Sequence, residues 1–217
     1  MSGYPVTLVD LDRTSCVVIG GGEIAERKVT ALREAGARPL VISPSLSDAL
    51  RCQAEAGEIE AIEREYQTGD LSGARLVIAA TDEPEINEAV WQEAQAVGCL
   101  VNVVDDPNRC DFYVPATIRR GALTISISTA GSSPLLAGRI RHALEQQFDP
   151  AYGPYLALLG ELRPQVKELV LDPAHRKGVW GVLLDSNILD LLRAGQSGAA
   201  EQRAEDIIQT FCQTRAQ

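Results

Sequence analysis

Three glycines, Gly20, Gly21 and Gly22, close the apolar run Cys-Val-Val-Ile and lead straight into Glu-Ile-Ala-Glu-Arg-Lys, a helical pattern. In a dinucleotide fingerprint the first glycine makes a tight turn and the second lets backbone approach a pyrophosphate. The third lets helix and strand pack closely. Gly20 and Gly22 take the first two places and Ala25 the third, which needs only a small side chain. The N–H groups that start the helix, around Glu23 and Ile24, offer an anion site. Glu23 favours the helix dipole when it points away from the phosphates. No acid ends the next strand; Ser43 stands there, followed by Pro44 and Ser45. A hydroxyl can bond a ribose hydroxyl, and no arginine stands beside it to clamp a 2′-phosphate. The loop therefore leans towards NAD. A glycine turn that only packs a strand on a helix is the simpler alternative.

Two more loops follow apolar runs. Ala80-Thr81-Asp82 comes after Arg-Leu-Val-Ile-Ala-Ala, and Val104-Asp105-Asp106-Pro107 after Cys-Leu-Val-Asn-Val-Val. Ligands of an open parallel sheet bind beyond the carboxyl ends of its strands. Thr81 is thus expected to border the cofactor, while Asp82 either acts there or caps the helix that begins at Pro84. A carboxylate at Asp105 or Asp106 can take a proton from a substrate or bind a cation. On an extended chain the two point to opposite sides, so one at most faces the cofactor. Both are also ordinary residues of a solvated turn before proline. Further on, Ser128, Thr129, Ser132 and Ser133 crowd a turn before Pro134, with Arg119, Arg120, Arg139 and Arg141 in the same segment. Hydroxyls, a helix start and arginines suit an acidic substrate. Helix capping and scattered surface arginines explain the same residues without a ligand.

The elements that must position these groups alternate. Strands are expected at 4–9, 15–19, 39–43, 60–64, 75–80 and 99–104. Helices are expected at 23–35, 45–56 (capped by Ser45) and 84–97. Such alternation predicts an α/β, Rossmann-like parallel sheet with helices on both faces. After Pro107 the pattern becomes two strands, 113–119 and 123–128, then a helix at 134–147. Leu123, Ile125 and Ile127 alternate with Thr124, Ser126 and Ser128, the period of a sheet with one wet face. The tail from Pro150 is helical, interrupted by Pro164, Pro173 and glycines, with no obvious core of its own. The division expected is 1–112 for dinucleotide binding, 113–149 as a small α+β segment, and 150–217 as a helical C-terminal domain packed on the rest or on a partner.

Composition narrows the function. Hydrophobic residues make up 45% and charged residues 23% of 217, which fits a globular protein. A net charge of −10 argues against broad nucleic-acid or anionic-membrane binding. Five cysteines form no CxxC, and this scattered, odd set fits a reducing compartment. Cys16 and Cys99 read as buried small hydrophobes. Two distant histidines set a histidine-rich metal site aside, and no metal ligand is assigned. No signal peptide and no apolar run long enough to span a bilayer are read, so a cytoplasmic protein is expected. None of Tyr4, Tyr66, Tyr113, Tyr152 or Tyr155 has lysine four residues on, which excludes a short-chain dehydrogenase.

Four stretches occur together in order: VVIGGGEIAERK, LVIAATDEPEIN, VNVVDDPNRCDFYVPATI and ISISTAGSSPLLAGRIR. In these the chain resembles the precorrin-2 dehydrogenase family, which also forms the dehydrogenase/ferrochelatase part of sirohaem synthase. The resemblance covers about residues 4–150; the tail agrees in general character. It implies oxidation of precorrin-2, a tetrapyrrole with eight carboxylates, to sirohydrochlorin, with NAD accepting a hydride. It further implies that Asp105 is the important acid, as general base or ring-orienting group. In bifunctional members that acid also assists iron insertion. Glu23, Ile24, Pro44 and Ser45 fall where the family contacts NAD, and Thr129 near the substrate region. Family members are homodimers whose second segment exchanges contacts between chains, a role that suits 113–147. No stretch resembles the methyltransferase module of the trifunctional enzyme, so methylation is expected elsewhere. The competing reading is an NAD-binding regulatory module without catalysis, which leaves NVVDDP and STAGSSP unexplained.

Overall fold

A computed structural model describes residues 3–213. The chain divides into two units between Val114 and Pro115. The first holds β1 (Cys16–Ile19), α1 (Glu23–Glu34), β2 (Leu40–Ile42), α2 (Asp48–Glu55), β3 (Glu60–Ile62), β4 (Leu76–Ala79), α3 (Pro84–Val97) and β5 (Leu100–Val103). The strands form one sheet in the order β3-β2-β1-β4-β5, every neighbouring pair parallel. Parallel strands covered on both faces need apolar residues at successive positions. The runs CVVI and LVIA meet that need, buried throughout. Alternate residues feed two cores. Cys16 and Val18 pack with Ala25, Val29 and Leu50. Val17 and Ile19 pack with Val90 and Ala94 of α3. Each fully buried branched side chain contributes roughly 1.5–3 kcal/mol relative to exposure. The α/β class with helices on both faces is therefore as expected, and Cys16 and Cys99 are buried.

Three local readings change in this unit. Residues 4–9 form no strand: Tyr4, Val6 and Val9 are exposed and the segment ends in a 3-10 turn, Leu11–Arg13. An apolar alternation without a neighbour to supply ladder hydrogen bonds stays irregular. Ser45 is not the cap of α2. That role belongs to Ser47, whose Oγ accepts from the Leu50 N–H at 3.3 Å. The Ser45 carbonyl instead accepts from the Ser43 hydroxyl at 2.8 Å, and the Ser47 N–H donates to the Gly21 carbonyl at 2.8 Å. The chain must turn beneath the glycine loop before it can begin a helix. Asp82 does not cap α3 either; the Glu83 N–H goes to the Thr81 hydroxyl oxygen at 3.2 Å.

The second unit opens with an antiparallel hairpin, β6 (Ala116–Arg120) and β7 (Leu123–Ile127), paired from Ala116↔Ile127 to Arg120↔Leu123. Its turn uses Gly121, at φ 58°, where an added Cβ would come within 3.3 Å of Gly153 Cα. Then follow α4 (Pro134–Gln147), α5 (Tyr152–Leu169), α6 (Pro173–Leu184), α7 (Ile188–Arg193) and α8 (Ser197–Gln213). The tail does build its own core, contrary to expectation: Tyr155, Leu158, Leu162 and Val166 pack with Val179, Leu183, Ile188, Ala204 and Ile207. The first four stand at helical spacing on α5, which runs through Pro164 without a break. Pro164 and Gly160 are both exposed, so the carbonyl that the proline leaves without its helical donor can be met by water.

Candidate active site

The chain order of the sheet reverses between β1 and β4, and such a switch point opens a crevice beyond the strand ends. A cavity of about 450 Å³ lies there. It is bounded by the three glycines with Glu23 and Ile24, by Ser43, Pro44 and Ser45, and by Ala80 to Glu83. All eight predicted cofactor residues, Gly20, Gly22, Glu23, Ile24, Ser43, Pro44, Ser45 and Thr81, therefore line one cavity.

The three glycines do different work. Gly20 has φ 121°, and a Cβ there would lie 2.3 Å from the Ala80 carbonyl oxygen. At Gly21 a Cβ would lie 2.0 Å from the Ser45 carbonyl oxygen. These two let the loop nest against its neighbours. Gly22 is different: a Cβ there meets nothing within 4 Å. It also stands at the N-cap of α1 with no side-chain cap. Unpartnered N–H groups of a first helical turn facing open space fit a pyrophosphate.

Side chains of the cavity are also tied down. The Thr81 hydroxyl pairs with Asn87 Oδ1 at 2.9 Å, and Asn87 Nδ2 donates to the Thr81 carbonyl at 2.9 Å, so α3 holds this loop. Ser43 is buried and its proton is committed to Ser45, which leaves its oxygen as an acceptor only. The charged residues of the lining, Glu23, Glu65, Asp82 and Glu83, are all acidic. Tyr66 also lines it; its hydroxyl donates to Glu93, which accepts in turn from the Gly69 and Leu71 N–H groups at 3.0 Å. Burial, then that carboxylate, push the Tyr66 phenol well above its usual range.

Asp105 emerges beyond the carboxyl end of β5, the strand beside β4, at the same edge of the sheet as the cavity. It is exposed, with backbone in the left-handed region at φ 61°. The two aspartates thus stand on a turn, not on an extended chain. Asp106 is engaged: its carboxylate accepts from the Asn108 N–H at 3.1 Å and pairs with Arg109 at 2.5 Å. Lys28, half-buried on α1, has a place here that sequence reasoning missed. Burial, and Arg27 beside it, pull its ammonium below the usual lysine range, while Cys110 and the Asp105 carboxylate oppose that fall. Its position three residues after the buried Ala25 was the available signal. Glu65 and Tyr66, which line the crevice, and Asn87, which holds the Thr81 loop, were missed as well, since only the tertiary fold brings them into place.

In the second unit the hydroxyl-rich turn is built as a cap. Ser133 Oγ accepts from the Leu136 N–H at 3.2 Å, Thr129 Oγ1 from the Ser133 N–H at 3.1 Å, and Ser128 Oγ from the Ala130 N–H at 3.2 Å. Ser132 is exposed, as is Arg139, and Arg141 pairs with Glu145 one turn along α4.

Three family models match the chain in series. "Putative NAD(P)-binding" covers 7–116, "Sirohaem biosynthesis protein central" 120–147, and "Sirohaem synthase dimerisation region" 151–208. This chain belongs to the family described as putative NAD(P)-binding. Among relatives of that family, a siroheme synthase of Pseudomonas paraeruginosa is 40% identical over 190 residues, 88% of this chain and 41% of the relative. Siroheme synthase 1 of Aeromonas salmonicida is 38% identical over 198 residues, 91% of this chain and 42% of the relative. The chain spans about two-fifths of these relatives' length. A solved structure described as SirC, precorrin-2 dehydrogenase, is similar at a TM-score of 0.73 and 26% identity, over 94% of this chain and 100% of that one. No described helix is long and apolar enough to cross a membrane.

Proposed function

We propose that this chain oxidises precorrin-2 to sirohydrochlorin in sirohaem synthesis, with NAD as oxidant and Asp105 as general base. One observation carries the reading. The glycine cradle and an unbonded, exposed carboxylate stand at the same edge of one parallel sheet, a single strand apart. When bound, NAD supplies the two-electron acceptor; one proton leaves the macrocycle for each turnover. Asp105 is the group suited to take it, because Asp106 is held in its own ion pair. Gly20, Gly22, Glu23, Ile24, Pro44, Ser45 and Thr81 hold the dinucleotide, with Ser43 acting through its oxygen. Ser128, Thr129, Ser132, Ser133, Arg139 and Arg141 receive carboxylates of the tetrapyrrole. Residues 1–112 form the dinucleotide domain. The chain works as a cytoplasmic homodimer through 113–149, and the dimerisation-region match at 151–208 supports extending that interface into the tail.

The acidic lining bears on cofactor choice. A 2′-phosphate adds negative charge to a cavity lined by four acidic residues, and like charges at close range are costly. NADP is expected to bind at least ~10-fold more weakly than NAD. Fluorescence titration of both dinucleotides checks this, and equal affinities would contradict it.

Replacing Arg139 and Arg141 together with alanine is expected to raise the Michaelis constant for precorrin-2 about tenfold while leaving that for NAD unchanged. Arg139 carries most of this effect, since Arg141 is already paired. Steady-state kinetics in each substrate decide it. The reading as a whole is tested by visible absorbance: purified chain with precorrin-2 and NAD either yields the sirohydrochlorin spectrum and NADH or does not.

A further inference from the structure

Downstream of Asp105 the chain is fastened in an unusual way. The Asp106 N–H donates to the Val103 carbonyl at 3.3 Å, closing a turn around the left-handed Asp105. The next three residues form a 3-10 turn, Pro107–Arg109, and the Arg109 N–H returns to the Asp106 carbonyl at 3.1 Å. From there the Arg109 side chain reaches in three directions. It pairs with the Asp106 carboxylate at 2.5 Å and with Glu88 of α3, and its guanidinium lies 5.6 Å from the Trp91 ring centroid. Cys110 adds a further tie, its thiol lying 3.2 Å from both the Val103 and Asp106 carbonyl oxygens.

Aspartate enters the left-handed region more readily than most non-glycine residues, and its surroundings decide how firmly it is held there. Backbone bonds and the Cys110 thiol close the turn on itself and on β5, and the Arg109 side chain anchors it to α3. Arg109 ties the turn to α3, a rigid element packed on the sheet, and matches the charge of Asp106. Without Arg109, two adjacent carboxylates would compete at the sheet edge, and the turn would lose its link to α3. Lys28 on α1 feels the charge of both Asp105 and Cys110.

We propose that Arg109 is a positioning residue: by holding Asp106, Glu88 and Trp91 at once it fixes the turn that presents Asp105 as the free carboxylate of the loop after β5. This rests on the function proposed above, and the test separates the two. Rates of NADH formation from precorrin-2 are measured for the full chain, for Asp105→Ala, for Arg109→Ala, for Arg109→Lys and for Asp106→Asn combined with Arg109→Ala. Misplacing a reacting group by about 1 Å can cost about 100-fold, so Arg109→Ala is expected to lower kcat about 30-fold with both KM values within about twofold. Arg109→Lys keeps the charge but not the fork, and is expected to recover only part of the loss. The double variant, with no orphaned carboxylate beside Asp105, is expected to exceed Arg109→Ala by about threefold.

Amide hydrogen exchange over 104–110 needs neither cofactor nor substrate. It is expected to quicken at least about tenfold in Arg109→Ala and less in Arg109→Lys. Unchanged exchange, or a kcat equal to that of the unaltered chain where Asp105→Ala is inactive, overturns the role of Arg109. So does a loss that neither Arg109→Lys nor the double variant relieves. An unaltered chain without turnover overturns the proposed reaction instead, and the exchange measurement still decides on Arg109.

Discussion

Asp105→Ala is expected to lower kcat for precorrin-2 oxidation by about 10²–10⁴-fold, the range typical of a positioned general base. The affinity for NAD should change by less than about twofold, because the cradle is built by loops after β1, β2 and β4 and Asp105 follows β5. The fold should also survive. Asp105 is exposed, no hydrogen bond to its carboxylate is found among the described residues, and alanine removes no packing. Equilibrium titration with NAD and single-turnover absorbance on the same preparation separate the two effects. Turnover within tenfold of the unaltered chain would remove Asp105 from the chemistry.

The second large effect belongs to Gly22→Asp. Gly22 has φ −85° and ψ −174°, extended backbone that any residue adopts, and a side chain there projects into open space. The variant should fold with stability within about 0.5 kcal/mol of the original, as for other unobstructed surface positions. Its carboxylate would occupy the region offered to the pyrophosphate. Like charges in contact cost several kcal/mol, so NAD affinity is expected to fall ~100-fold or more. Gly21→Ala makes the opposite case. Its Cβ would lie 2.0 Å from a backbone oxygen, so the damage falls on the protein itself. A loss of about 1–3 kcal/mol in denaturant unfolding is expected. Normal NAD binding by Gly22→Asp would make the loop a purely structural turn.

The contrast between these glycines shows what could be read from residue order alone. Strands β1 and β4 were legible because parallel strands buried on both faces leave unbroken apolar runs, and α3 because proline opens it and glycine closes it. The cavity loops were legible because the glycine run sits between a strand and a helix. Which glycine faces a ligand was not, since it depends on where Ser45 and Ala80 lie in space. The cap of α2 fell between two serines two residues apart, and only the hydrogen bond from the Leu50 N–H to the Ser47 hydroxyl decides it. The core of the tail was hidden because Pro164 looks like a break. Four buried residues at helical spacing on the opposite face outweigh one lost hydrogen bond in water. Arg109 acts through contacts with α3 and Lys28 through the charges of the loop after β5, which no local pattern encodes.

The central claim is that a dinucleotide cradle and one carboxylate cooperate on a reduced tetrapyrrole. Its most direct test is anaerobic mixing of the purified chain with precorrin-2 and NAD, followed by visible absorbance. One NADH should form for each sirohydrochlorin, and Asp105→Ala should form neither. A chain that binds NAD yet leaves the precorrin-2 spectrum unchanged would contradict the account and favour a regulatory, non-catalytic role for the cradle.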